Sequence, residues 1–138
     1  REIDTGALFA GKTVVLFAVP GAFTPTCSIK HLPGFLEQYD ALKAKGVDEI
    51  VCLAVNDVFV MDAWAKSQNI DGRITMLADG SGAFTQALGL ELDLVARGLG
   101  MRSQRYALIA KDGVVTHLAV ESAGGFEVSR AEAVLEAL

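Results

Sequence analysis

The sequence predicts an α/β sandwich in which helices flank a central mixed β-sheet. A nearly continuous apolar run, residues 14–19, has the β-branched composition of a strand that is covered on both faces. Strand-like and helix-like patterns then alternate along the chain as far as residue 88. Near the C-terminal end, Asp112-Gly113 separates two strand-like segments and is a strong signal of an antiparallel hairpin. Strand–helix units followed by a hairpin indicate that the sheet is mixed.

The first part of the chain contains three strand–helix pairs. The strand at 14–19 is followed by a helix over 26–45, in which apolar residues recur at helical spacing. We expect this helix to bend or break near Pro33, because a proline inside a helix removes a backbone hydrogen bond. The other elements of this part are a strand at 50–56, a helix at 58–68, a strand at 74–78 and a helix at 82–88.

The remaining residues predict a loop, a hairpin and a last helix. Residues 90–100 have no clear periodicity and include two glycines, which indicates a loop or a short helical turn. Strands follow at 104–110 and 114–121, and a helix begins near Ser129, with Glu132 completing a capping box. We find no linker and expect one domain over residues 1–138. This order of elements is that of a thioredoxin-like domain.

Composition restricts the class of protein. A chain of 138 residues with 51% hydrophobic and 21% charged residues is typical of a globular domain. The net charge of −5 argues against nucleic-acid binding, and no apolar run approaches the roughly 18 residues of a membrane span. The sequence starts at Arg1, as expected of a trimmed start, and shows no signal-peptide pattern. Two widely spaced cysteines favour a reducing, cytoplasmic location, and no metal or cofactor motif is present.

Cys27 is the strongest candidate for a reactive residue. It lies in the expected first turn of a helix, directly after a buried strand, where unpaired N–H groups and the helix dipole favour a thiolate. The three residues after it include no second cysteine, which excludes a Cys-x-x-Cys exchange motif. The hydroxyl of Thr24 precedes the thiol by three residues, and Pro20 and Pro25 stiffen the intervening loop. The pattern therefore predicts a single activated sulfur.

The motif Pro20-x-x-x-Thr24-x-x-Cys27, extended by the run at 31–35, resembles the peroxiredoxin family and its type II (peroxiredoxin-5) branch. The resemblance continues at 55–61 and 103–106, so it covers nearly the whole chain. It implies a thiol peroxidase that reduces hydrogen peroxide and alkyl hydroperoxides through a sulfenic acid on Cys27.

The resemblance also implies roles for other residues. Thr24 would orient the peroxide, and Pro20 would cover the sulfur. The family's active-site arginine corresponds to Arg105, although Arg102 is a competitor that the sequence alone does not exclude. A cation is needed because both a thiolate and the oxygen on which charge develops are stabilised by one.

Pocket and interface residues are implied in the same way. We expect Leu94 and Phe126 to shape the substrate pocket. Relatives form dimers with the active-site loops near the interface, which implies a homodimer in which Phe23, Phe84 or Leu94 could take part.

Two histidines could in principle serve as bases. His31 follows Cys27 by four residues, but an ionised thiol needs no base, so we assign His31 a structural or interface role. His117 alternates with apolar residues on a strand and is expected to point outward. A cysteine hydrolase would need a histidine base and an oxyanion hole, and neither histidine is placed beside a motif for one.

Recycling of the sulfenic acid requires another thiol. Cys52 is the one other cysteine and lies 25 residues downstream in an apolar run, which favours a buried structural thiol over a resolving one. The stretch 124–129, where some relatives have a resolving cysteine, contains none. The resemblance therefore suggests external glutathione with glutaredoxin, or thioredoxin, as reductant. The alternative is a stoichiometric peroxide sensor or chaperone-like redox interaction protein, which would oxidise Cys27 once without turnover.

Overall fold

The computed structural model describes residues 3–138 of the chain. Within this range the strands are β1 (Thr13–Val19), β2 (Glu49–Ala54), β3 (Thr75–Ala78), β4 (Glu91–Leu94), β5 (Gly100–Ser103), β6 (Tyr106–Lys111) and β7 (Val114–Val120). The helices are α1 (Thr5–Phe9), α2 (Leu32–Glu37), α3 (Tyr39–Ala44), α4 (Val58–Ser67), α5 (Ala83–Leu88) and α6 (Ala131–Ala137). A π-helical turn, Cys27–His31, and a 3-10 turn, Val95–Arg97, complete the elements. None of the helices in this part of the chain is long and apolar enough to cross a membrane.

Five strands form one mixed sheet in the order β3-β2-β1-β6-β7. β1, β2 and β3 are parallel, whereas β6 is antiparallel to both β1 and β7. In this register Phe17, at the centre of β1, lies between Cys52 of β2 and Ala107 of β6. The predicted hairpin is present, with Asp112 and Gly113 both in the left-handed region at φ 49° and 79°. The mixed sheet of the predicted fold class is confirmed.

The two faces of β1 build two separate apolar cores. Val15, Phe17 and Val19 face a core that includes side chains of α2, α3, α4 and α6. The alternate residues Val14, Leu16 and Ala18 face a second core, which α1 and α5 cover. Side chains alternate between faces along a strand, so a central strand covered on both sides must be apolar at every position.

The long helix predicted over 26–45 is in fact three pieces, and its break is not at Pro33. Pro33 lies in the first turn of α2, where a missing N–H removes no intrahelical hydrogen bond. The helices separate instead at Gln38, whose backbone (φ −93°, ψ 9°) leaves the helical region between α2 and α3. The π-helical turn before α2 has no signal in the apolar spacing.

The segment predicted as a loop at 90–100 contains regular structure. β4 and β5 pair antiparallel as a two-stranded sheet, with the 3-10 turn between them. Each strand has four residues, which is too short for a period-2 pattern to stand out. The prediction of a loop or a short helical turn over 90–100 holds for the 3-10 turn but missed β4 and β5, and β6 begins at Tyr106, not at residue 104.

The predicted capping box of the last helix is also wrong. α6 begins at Ala131, after an N-cap Arg130 that makes no side-chain capping bond. The hydroxyl of Ser129 donates instead to the carboxylate of Glu121, at 2.7 Å. Helix α1, which the sequence pattern did not predict, is capped by the Asp4 carboxylate accepting from the Gly6 N–H.

Candidate active site

The loop between β1 and the π-helical turn carries Cys27. Within it, the Ala22 N–H donates to the side-chain oxygen of Asn56 at 2.9 Å, and Phe23 has a left-handed backbone at φ 65°. Helical backbone begins at Pro25, and the Ser28 N–H donates to the Thr24 carbonyl at 3.0 Å. Cys27 therefore lies in the first turn of the helical run, as predicted, and it is fully buried.

The π-helical turn is held from the side by α4. The Trp64 indole N–H donates to the Ser28 hydroxyl at 3.0 Å, and the amide of Gln68 donates to the Ser28 carbonyl at 3.2 Å. The Leu32 N–H reaches back five residues to the carbonyl of Cys27. Such widened turns occur frequently at functional sites. His31, at the end of the widened turn, is fully buried, and its ring packs against Phe17 and Phe35 of the core that contains Cys27.

Arg105 is the arginine that contacts the sulfur. Its Nη2 donates to Cys27 Sγ at 3.1 Å, and its Nη1 donates to His31 Nδ1 at 2.8 Å. Arg102 does not share this position, because its Nε donates to the Leu99 carbonyl and its guanidinium lies over Gly21. A single guanidinium thus joins the thiol and the imidazole, using the fixed fork of donors that arginine provides.

His31 is a neutral acceptor for that guanidinium. Because arginine only donates, Nδ1 must carry the lone pair, and the proton is on Nε2, which donates to the Ser129 carbonyl at 3.0 Å. Burial, and secondly the charge of Arg105, lower the pKa of His31 from 6.5 to about 3. The imidazole is therefore uncharged at neutral pH, and its role is more specific than the structural one that the sequence suggested.

An aromatic side chain covers the other side of these groups. The Phe126 ring meets the His31 ring edge to face, with centroids 5.1 Å apart. The guanidinium carbons of Arg105 and Arg130 lie 5.9 Å and 5.7 Å from the same ring. The ring therefore offers its π-electrons to two cations, one of which is Arg105.

Thr24 and Pro20 occupy the loop that surrounds the sulfur. The Thr24 hydroxyl donates to the Gly21 carbonyl at 2.6 Å, so its lone pairs are free to accept a hydrogen bond from a bound hydroxyl. A Cβ at Gly21 would lie 3.1 Å from Arg102 and 3.2 Å from the Thr24 methyl, so a side chain there would crowd both. A larger residue at this position would therefore need Arg102 or Thr24 to shift by a few tenths of an ångström.

A pocket of about 220 Å³ opens next to Pro20 and Arg105, and neither Cys27 nor Thr24 is among the residues that line it. Its walls are Pro20, Thr26, Leu92, Gln104, Arg105, Glu121 and the loop residues Ser122, Ala123, Gly124 and Gly125. Of the two residues predicted to shape the pocket, neither Leu94 nor Phe126 is among those that line it. Phe126 contacts the guanidinium instead, and Leu92, two residues before Leu94 on β4, supplies the apolar wall.

Cys52 lies on β2 in the same core as Cys27, and both cysteines are unpaired and fully buried. Burial, and to a lesser extent the neighbouring Cys27, raise the pKa of the Cys52 thiol well above its ordinary value. A buried thiol of this kind is a weak nucleophile.

Glu121 is a site residue that sequence reasoning missed. It follows β7 directly, lines the pocket and accepts three hydrogen bonds from the loop before α6. Its position in the predicted hairpin could have indicated this role. The hairpin places the end of one strand, at Glu121, beside the start of the other, next to Arg105.

Comparisons with known proteins agree with this geometry. The model of the Redoxin family matches residues 1–135. Peroxiredoxin-2B of Arabidopsis thaliana is 58% identical over 132 residues, which are 96% of this chain and 82% of that protein. Among solved structures, reduced Prx3 from Vibrio vulnificus in complex with H2O2 superposes with a TM-score of 0.94 at 60% identity, covering 97% of this chain and 86% of that one. Peroxiredoxin 5 from Alvinella pompejana gives 0.87 at 39% identity, covering 96% and 82%.

The buried His31 makes a prediction about acid stability. Between about pH 6.5 and pH 3 the unfolded chain protonates this imidazole and the folded protein does not. The contribution of the neutral His31 to the free energy of unfolding is therefore fully present above about pH 6.5 and decreases as the pH falls toward 3. We expect urea unfolding between pH 6.5 and 4.5 to show this loss at about 1.4 kcal/mol per pH unit.

His31→Gln should remove that slope, because glutamine can donate and accept but does not titrate. His117→Gln is the matched control, since His117 is partly exposed on the outermost strand, and it should keep the slope of the wild type. Equal slopes in His31→Gln and the wild type would contradict the assignment of a neutral buried imidazole.

Proposed function

The chain belongs to the redoxin family as a peroxiredoxin of the type II (peroxiredoxin-5) branch, a thiol peroxidase, and from this premise we propose that Cys27 reduces hydrogen peroxide and alkyl hydroperoxides. The observation that carries the proposal is the 3.1 Å hydrogen bond from Arg105 Nη2 to Cys27 Sγ, beside a pocket. A charged donor at that distance stabilises a thiolate. It can also stabilise the negative charge that develops on the leaving oxygen of a peroxide bound next to the sulfur.

The proposed first step is attack of the Cys27 thiolate on one peroxide oxygen. The S–O bond forms as the O–O bond breaks, and the second oxygen leaves as hydroxide or alkoxide, which takes up a proton to give water or an alcohol. Cys27 is left as a sulfenic acid. Arg105 would stabilise the leaving oxygen, and Thr24 would accept a hydrogen bond from the peroxide hydroxyl and orient it.

The shape of the pocket supports small peroxides as substrates. A volume of about 220 Å³ accommodates hydrogen peroxide or a short alkyl hydroperoxide. Leu92 and Pro20 would give an alkyl group apolar contact, and Arg105 and Gln104 would offer polar groups to the peroxide. The complex of the related Vibrio vulnificus Prx3 with H2O2 supports the smaller of these substrates.

For the second half of the cycle we propose an external thiol. A reductant thiol would attack the sulfenic acid and release water, and a second thiol would then reduce the mixed disulfide. Cys52 is unsuited to the first of these tasks because its raised pKa keeps it protonated and its strand, β2, lies inside the sheet between β3 and β1. Glutathione with glutaredoxin, or thioredoxin, would act here, in the cytoplasm, the compartment that we propose for this enzyme.

We also propose that the protein forms a homodimer with the Cys27 loop near the interface. Phe23, in that loop, is 54% exposed, and Phe59, on the first turn of α4, is 82% exposed. The two segments are joined through the Asn56 side chain, which accepts from the Ala22 N–H. Exposed apolar side chains on two segments that contact each other are typical of an association surface. Phe84 and Leu94, the other predicted contributors, are partly buried.

The role of Arg105 predicts a large kinetic effect. In Arg105→Gln we expect the second-order rate constant for hydrogen peroxide, measured by stopped flow, to fall about 100- to 1,000-fold, because one charged donor at the reacting atoms is lost. Arg105→Lys should recover only part of the rate, since lysine cannot donate to the sulfur and to His31 in the same geometry. Arg102→Gln is the control, and a loss there as large as in Arg105→Gln would contradict the assignment.

The one-cysteine cycle predicts that Cys52→Ser keeps its turnover. We expect steady-state peroxide consumption with glutathione and glutaredoxin to stay within about twofold of the wild type, because Cys52 takes no part in the proposed cycle. Cys27→Ser should consume no peroxide under the same conditions. Loss of turnover in a folded Cys52→Ser protein would show that Cys52 resolves the sulfenic acid, and oxidation of wild-type Cys27 without turnover under either reductant would indicate a sensor.

The homodimer predicts a change of sedimentation behaviour in Phe23→Glu. Charge on the exposed ring position should shift the protein from dimer to monomer at micromolar concentration in analytical ultracentrifugation. Leu118→Glu is the matched control, because Leu118 is 50% exposed on the outermost strand of the sheet and should leave the dimer intact. A wild-type protein that sediments as a monomer would refute the homodimer.

A further inference from the structure

Glu121 lies directly opposite Arg105 at the ends of the two antiparallel strands. Its backbone N–H donates to the Arg105 carbonyl at 2.9 Å, which continues the pairing of β6 with β7 by one residue. The main chain of Glu121 therefore fixes where the Arg105 side chain starts. The side chain of Glu121 contacts neither the guanidinium nor the sulfur, and the mechanism above does not use it.

Three donors converge on one oxygen of the Glu121 carboxylate. Oε2 accepts from the N–H groups of Glu127 and Ser129, both at 2.8 Å, and from the Ser129 hydroxyl at 2.7 Å. A Cβ at Gly125 would be only 3.2 Å from the other carboxylate oxygen, so the loop wraps closely around the group. Burial alone would raise the pKa of Glu121. The hydrogen bonds from Ser129 and Glu127 lower it by a larger amount, so the pKa is below its usual value. The carboxylate is ionised at neutral pH.

This carboxylate determines where the Ser129 carbonyl points. Ser129 is tied to Glu121 by both its N–H and its hydroxyl, and its carbonyl accepts the Nε2 proton of His31. That bond holds the imidazole in the tautomer with a lone pair on Nδ1. If the carbonyl moved away, the other tautomer would direct an N–H at the N–H of Arg105 Nη1, and two donors would repel each other.

We propose that Glu121 is a positioning residue for the peroxidase reaction, acting through Ser129 and the tautomer of His31 to hold the Arg105 guanidinium at the Cys27 sulfur. The hydrogen bonds form a closed ring, since the backbone of Glu121 is bonded to Arg105 and its carboxylate returns to Arg105 through Ser129 and His31. The inference rests on the proposed function in one respect: Arg105 must assist the reaction of Cys27.

The first test is kinetic. Glu121→Gln keeps the shape of the side chain but replaces the charged carboxylate by a neutral amide. The three hydrogen bonds to Oε2 are thereby weakened or lost. We expect its second-order rate constant for hydrogen peroxide to fall about tenfold, in line with weakened hydrogen bonds to a charged group. Glu127→Gln is the control, because Glu127 is exposed and its side chain is outside the ring of hydrogen bonds from Glu121 to Arg105. Its rate constant should stay within twofold of the wild type.

A double-mutant cycle separates positioning from general damage to the fold. If Glu121 acts through Arg105, Glu121→Gln should lower the rate in the wild type and have no further effect in the Arg105→Gln background. Equal losses in both backgrounds would overturn the inference. If Glu121→Gln does not fold, Ser129→Ala carries the same cycle, because it removes one of the three donors with little change in volume.

The second test observes the tautomer of His31 directly. ¹⁵N NMR of the His31 ring in the wild type should show the proton on Nε2, and Glu121→Gln should show a mixture of the two tautomers. A wild-type ring protonated on Nδ1, or an unchanged ring in a Glu121→Gln protein that reacts at the wild-type rate, would refute the proposal. A wild-type rate in Arg105→Gln would instead overturn the proposed role of Arg105, and the NMR result would still decide whether Glu121 sets the tautomer.

Discussion

The hydrogen bond from the Arg105 guanidinium to the Cys27 sulfur is the contact on which the rest of the site depends, because it keeps a cation next to a fully buried thiol. Arg105 is partly buried, where a guanidinium without partners would be costly. The sulfur and the His31 ring accept its N–H groups, and the Phe126 ring lies beside its plane. The two cores on either side of β1 keep these partners in place, since they fix the strand ends from which the loops start.

The choice of a neutral acceptor beside the guanidinium has an electrostatic reason. A carboxylate in the place of His31 would pair with Arg105 and cancel much of the charge that the sulfur and the leaving oxygen require. Burial keeps the imidazole neutral, so it orients the cation and leaves the cation's charge available. The carboxylate of Glu121 is hydrogen-bonded to Ser129 and, among the described residues, forms no ion pair with Arg105. The protein thus separates orientation from charge compensation.

Those parts of the fold and site that depend on local pattern could be predicted from the sequence. The apolar run of β1, the Asp112-Gly113 hairpin and the position of Cys27 in a first helical turn each have a short-range cause. The small β4–β5 sheet could not be predicted, because its short strands depend on each other for their pairing. The contact between His31 and Arg105 spans 74 residues, and it was missed because nothing in the spacing of residues near His31 reports on Arg105.

The hydrogen bond between Trp64 and Ser28 has a consequence for observing this enzyme at work. The chain has a single tryptophan, and its indole N–H is bonded to the hydroxyl of the residue that follows Cys27. Intrinsic fluorescence therefore has one source, and that source is attached to the turn that carries the thiol. Any rearrangement of this turn during oxidation would break or lengthen the bond and change the polarity around the indole. The protein carries its own optical probe of the redox state of Cys27, without any added label.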